Sequence, residues 1–176
     1  MHLFQRGYKM AQTFEFFKKE FEFKGKHADM VSELWCMNDY EHTYFKRLID
    51  IYILAPIIGF RLNRKAGIDY STTSTRSIFG EQMNKEKETL DFIMQMILLL
   101  ENAECDTSEQ CVDRAFRGVD TQEKYDEYFK VFHDYVRGGV EELYERLVIR
   151  KPEMDEEIYD DKTANIYALM ERFCQN

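Results

Sequence analysis

The chain has 176 residues, 44% of them hydrophobic and 15% aromatic, and a formal net charge of −9. That apolar content is too high for a disordered chain and suits one domain of ordinary size. The acidic balance argues against a general nucleic-acid binder, and only two prolines and eight glycines punctuate the sequence, favouring long helices over many short strands.

The first ten residues, MHLFQRGYKM, hold no apolar run of the kind a signal peptide needs. Residues 1–12 are expected to be a loosely ordered extension. Thr13 is placed to cap a first helix over FEFFKKEFEF, where Phe14, Phe17 and Phe21 recur at helical spacing. Phe16 and Phe23 fall off that stripe, so the alternation in FEFKGK also fits a short strand. Gly25 ends this element. A second helix is predicted from about His27 to Met37, with Met30, Leu34 and Met37 on one face.

Asn38 and Asp39 are placed to cap a long helix from Tyr40 to about Lys65. Its apolar core, Ile51 to Phe60, is half of what a bilayer crossing requires (about 20 residues), so it reads as a buried helix. Pro56 predicts a kink or break near residues 52–56, because it removes a hydrogen bond to Tyr52. Gly59 would permit close helix packing. Residues 66–77 read as a loop, with Ser77 or an earlier hydroxyl as the next cap. A helix over about Ile78 to Asn102 follows, polar in its first half and apolar from Leu90.

Asp106 and Glu109 resemble a capping box for a short helix that stops at Gly118. Thr121 then opens the most periodic segment, Gln122 to Ile149, with Tyr125, Tyr128, Phe129, Phe132, Tyr135 and Val136 starting its stripe. Gly138–Gly139 would weaken or bend it, and Pro152 would end it. A last helix spans Lys162 to Cys174. The expected fold is all-α: a single-domain bundle of six or seven helices over 1–176, around a Pro-kinked central helix.

Chemical signatures are sparse. A carboxylate-bridged di-iron bundle needs Glu-x-x-His, but Asp39 precedes His42 and Lys130 precedes His133. Cys105 and Cys111 have no second pair nearby for zinc. The four cysteines, with Cys36 and Cys174, are expected to be free thiols. No glycine-rich phosphate loop occurs, although the hydroxyl run from Ser71 to Ser77, with Arg76, could hold an anion. No histidine has an arginine four to six residues before it, the spacing that helical ribonucleases use.

Charge is uneven. Residues 1–65 carry eleven Lys/Arg against eight Asp/Glu, and the remainder carry thirteen against twenty-five. The basic residues Lys18, Lys19, Lys24, Lys26, Arg61, Arg64, Lys65 and Arg76 are the candidates for an anion or nucleic acid. Either they face such a partner or the two halves attract each other. Asp50 and Asp91 sit beside apolar runs, and with Arg47 they define a candidate buried polar pocket.

These observations lead to a non-catalytic helical interaction module, an accessory subunit or adaptor of a larger complex. It would bind a protein partner or self-associate through the 122–149 helix. The alternatives are a nucleic-acid-associated small subunit of a bacterial defence or mobile-element system, and an enzyme with a buried Asp50 pocket. No cofactor, no metal and no membrane contact are expected, and the cytoplasm is the expected compartment.

Overall fold

The computed structural model describes residues 14–35, 43–101, 107–150 and 160–174. The expectations for residues 1–12, the Asn38–Asp39 cap, Asp106, Pro152, Cys36 and Cys105 lie outside these residues. Among the described residues the architecture is all-α, with seven helices and one two-stranded sheet. In chain order it comprises β1 (Phe21–Lys24), α1 (Lys26–Trp35), α2 (Leu48–Arg61), β2 (Thr75–Ile78), α3 (Gly80–Lys85), α4 (Lys87–Leu100), α5 (Ser108–Phe116), α6 (Gln122–Tyr144) and α7 (Asp161–Cys174). A π-helical turn, Glu145–Ile149, extends α6.

The predicted first helix does not form over the described residues 14–20, and the strand reading of FEFK holds instead. The reason lies in five phenylalanines that all need burial or ring contacts. Phe17 adopts a left-handed backbone, φ 60°, which no helix accommodates. This turn sends Phe16 onto the Tyr125 ring at 4.8 Å and Phe17 among Phe129, Phe132 and Tyr52. Phe21 and Phe23 then point to one face of β1, as strand alternation requires. β1 pairs antiparallel with β2, Phe21 opposite Ile78 and Lys24 opposite Thr75. Ser77 is therefore a strand residue and no cap.

α2 and α6 form the central crossing. α2 begins at Leu48, later than the predicted start: Thr43 Oγ1 lies 2.7 Å from both the Trp35 and the Phe45 carbonyl, so its one proton is donated to either, and this holds residues 43–45 out of a helix. The helix runs on through Pro56, which is buried, to Arg61. Asn63, left-handed at φ 49°, stops it, and Arg64 N–H returns to Gly59 O at 2.8 Å. At the crossing the two backbones meet without intervening side chains. A methyl group at Gly139 would stand 2.5 Å from the Ala55 carbonyl carbon, and one at Gly138 2.5 Å from that of Arg64. Gly59 faces the Tyr135 carbonyl in the same way. The expected close packing at Gly59 is thus present, and Gly138–Gly139 serves contact rather than bending.

The predicted helix over 78–102 is two helices, α3 and α4, separated at Glu86. Gln82 Oε1 accepts the Phe79 N–H at 3.3 Å where α3 starts. Leu90, Ile93, Met94, Ile97 and Leu98 give α4 its core face. The cap of α5 falls one residue later than predicted: Thr107 Oγ1 accepts the Gln110 N–H and Gln110 Oε1 accepts the Thr107 N–H. Thr121 caps α6 as read, accepting the Lys124 N–H at 3.3 Å. Asn165 of α7 is buried and donates to the Leu147 and Arg150 carbonyls at 3.1 and 3.3 Å, joining α7 to the π-helical turn.

Candidate functional site: a groove between β1 and α6

Two features of α6 stand out, one closed and one open. The closed one is an ion-pair network on its last turns. The segment after α2 runs along α6, with Ala66 N–H on the Asp134 carbonyl at 2.9 Å. This places the Arg64 guanidinium against Glu141, Glu142 and Glu145 at 3.2, 2.8 and 2.5 Å. Lys26 pairs with Glu141 at 2.8 Å, and Arg146 and Arg172 pair with Glu142 at 3.1 and 2.9 Å. Burial works against the Glu141 carboxylate, but the Lys26, His27 and Arg64 hydrogen bonds outweigh it and hold its pKa below the usual value.

Five of the eight sequence-predicted basic residues are paired with the chain's own carboxylates, some of them at the surface. Lys18 binds Glu15 at 2.8 Å, Lys24 binds Glu22 at 3.3 Å, and Lys65 binds Glu101. Arg76 is exposed and donates to the Thr75 carbonyl at 2.8 Å; Lys19 and Arg61 are exposed as well. The candidate polar pocket is placed as two separate surface pairs. Arg47, whose side chain is 55% exposed, binds Asp50 and Glu86, and Asp91 binds Lys87 one helical turn away. Among the described residues no three of His, Cys, Asp and Glu converge as a metal site. No described helix is long and apolar enough to cross a membrane.

The open feature is a groove of about 310 Å³. Residues Glu20 through Lys24 form one wall. Phe129, His133 and Arg137, spaced by four and so stacked along one face of α6, form the other. His27 and Ile68 complete it. Phe21 stacks on His133, whereas Lys26 and His27 reach Glu141 further along. β1 and α6 thus run in the same direction and the groove lies lengthwise between them.

The α6 wall is rigid. The His133 ring sits between Phe21 and Phe129, with centroids at 4.3 and 4.2 Å, and its Nε2 meets the Tyr52 hydroxyl at 2.8 Å. Burial, helped by the Arg137 charge, pushes its pKa down to about 3. It is neutral near pH 7 and supplies no proton for acid–base chemistry there. Arg137 is fixed by the Ala66 carbonyl at 2.8 Å and by Asp134. His27, buried, places Nε2 at 3.1 Å from Glu141; burial lowers its pKa despite that carboxylate.

The groove is apolar along Phe21, Phe23 and Phe129; its charges are Glu20, the Glu22–Lys24 pair and Arg137, which Asp134 holds. In the sequence Phe129 reads only as part of the α6 core stripe and His133 only against a di-iron motif; the spacing of four that joins both to Arg137 is the readable signal of this face.

No curated protein and no solved structure matches the chain. A family described as DNA sulphur modification system-associated protein 4 matches residues 22–161. That span runs from β1 to the start of α7 and takes in the glycine crossing, the Arg64 network and the α6 wall of the groove. The chain therefore belongs to the DNA sulphur modification system-associated protein 4 family.

Proposed function

We propose that this protein is a non-catalytic accessory subunit that joins the DNA sulphur modification system by binding another protein of that system. As such it would be a small subunit of a bacterial defence system. The observation that carries this reading is the contrast between its charges and its groove. Lys18, Lys24, Lys26, Arg64 and Lys65 all lie in ion pairs with the chain's own carboxylates, which leaves Lys19, Arg61 and Arg76 of the candidate basic residues to meet a phosphate backbone. The aromatic groove along α6 remains open, and aromatic side chains with fixed arginines are what protein interfaces use.

The test is co-expression with the other proteins of the DNA sulphur modification system, followed by mass measurement in solution. The expected result is a stoichiometric complex with one of them. It should survive nuclease and about 1 M salt, where charge screening acts within about 3 Å. A chain that stays alone, or a complex that nuclease dissolves, overturns the reading; the second result would favour nucleic-acid contact through Lys19, Arg61 and Arg76.

A further inference from the structure

The hydrogen-bonding sense of β1 identifies what the groove can hold. In an antiparallel pair, residues alternate between those that bond across the ladder and those that point away. β1 and β2 pair Phe21 with Ile78 through Lys24 with Thr75. Gly25 and Ser74 form the next rung of the same register, and there Gly25 N–H donates to Ser74 O at 3.0 Å. Residues 21, 23 and 25 therefore face β2. The N–H and C=O groups of Glu22 and Lys24 face the opposite edge. Among the described residues they make no backbone hydrogen bond.

That edge is a wall of the groove, since five consecutive residues of alternating orientation, 20 to 24, line it together. Side chains from both faces of a strand can border one hollow only along the strand's edge. Unpaired backbone donors and acceptors beside an aromatic helix face are the requirements for strand addition. We propose that an extended segment of a protein partner enters the groove as a third strand on β1, its backbone bonding Glu22 and Lys24.

The walls also state what that segment looks like. Every second side chain would share a face with Phe21 and Phe23 and press on Phe129 and His133, so apolar residues recur at period two. Lys24 is paired with Glu22 and Arg137 with Asp134, so among the described residues Glu20 is the charge of this wall without an ion pair, and it calls for a basic residue at that end. That charge sets direction, and the charged edge discourages indiscriminate pairing. A second hollow of about 490 Å³ adjoins across Ile68 and Arg137, bordered by Tyr70 and Lys130, giving the segment room to continue.

This inference rests on the protein-docking reading above and deepens it. Its test uses the full chain with the co-expressed partner protein. Amide hydrogen exchange is measured at Glu22 and Lys24, free and bound. Binding is then compared for Glu22→Pro, which removes the outward N–H at a position where an edge strand tolerates proline, and for Glu22→Ala, which keeps it. The expected results are slower exchange at both amides in the complex, a loss of about tenfold or more in affinity for Glu22→Pro, and near-normal binding for Glu22→Ala. A complex whose Glu22 and Lys24 amides exchange as in the free chain overturns strand addition while leaving protein docking intact. So does protection that appears in the chain alone with rising concentration, which would make the occupant a second copy. Absence of any complex overturns both readings together. The exchange measurement on the unaltered chain keeps the test valid if Glu22→Pro fails to fold.

Discussion

Gly139→Ala tests the crossing of α2 and α6. In an isolated helix the change stabilises by about 0.5–1 kcal/mol, because alanine loses less backbone entropy than glycine. Here the added methyl would lie 2.5 Å from the Ala55 carbonyl carbon and 2.9 Å from its Cα. Carbon atoms rest at about 3.5–4.0 Å, so about 1 Å of separation must open along a seam where both sides are main chain. No side-chain rotation relieves it. Overpacking of this kind costs about 1–3 kcal/mol, and the rigid neighbours place it at the upper end. Offsetting the helix gain leaves a net loss of about 2 kcal/mol. For a chain of this size that lowers Tm by about 4–8 °C. Thermal melting followed by far-ultraviolet dichroism reads it, with Gly67→Ala, where nothing lies within 4 Å of the added carbon, as the control. A Gly139→Ala protein as stable as the parent, or more so, would show that propensity outweighs contact and would refute the backbone-to-backbone seam.

Other expectations follow from the same geometry. His133 has a pKa near 3 when folded and 6.5 as its ordinary value, so the unfolded chain binds the extra proton as pH falls below 6.5. Stability is full above that pH and declines below it, by about 2 kcal/mol at pH 5 from this residue alone. His133→Gln should flatten that part of the stability profile, and an unchanged slope would count against a neutral ring held between Phe21 and Phe129. Glu141 behaves in the same sense lower down: its depressed pKa gives stability above about pH 4.5 that is lost on further acidification, so Glu141→Gln should lessen the remaining acid slope there. Asn165→Ala removes the donor shared by the Leu147 and Arg150 carbonyls; it should cost about 1–2 kcal/mol and speed amide exchange in 161–174 more than in α6. Asp50→Asn should leave the melting temperature unchanged within error, because Arg47 and Asp50 pair at the surface.

What the sequence disclosed was local. The Thr121 cap, the stripe of α6 and the end of α5 before Gly118 depend on residues three or four apart, and these are visible in one dimension. Gly59 was readable because a glycine inside an apolar helix has few other uses. Features that depend on distant partners were hidden. The strand at 21–24 competed with a helix until its partner at 75–78 was known, and Arg64 lies more than seventy residues from the glutamates that hold it. Gly138–Gly139 read as a weakness because the Ala55 and Arg64 carbonyls that approach it belong to another element. Helix propensity also runs smoothly across Glu86, where the chain divides α3 from α4. The groove was hidden because its walls, a strand edge and the outer side of a helix, come together only in the fold, where many of the charges conspicuous in the sequence are paired off.

The absence of side chains at the Gly59–Gly139 seam also decides where the molecule can yield. Sliding or rolling α2 against α6 would drive main-chain atoms into one another, so the two behave as a single stiff beam. Any adjustment to an incoming strand must then come from the stretch between Arg64 and Ser74, which is tied down by polar links such as Lys26 N–H to Asp69 at 2.7 Å, because Phe21 and Phe23 anchor β1 in aromatic contacts. The groove consequently has firm walls and a compliant rim at Ile68, and mutations that loosen the rim should alter how fast a ligand enters more than how the beam melts.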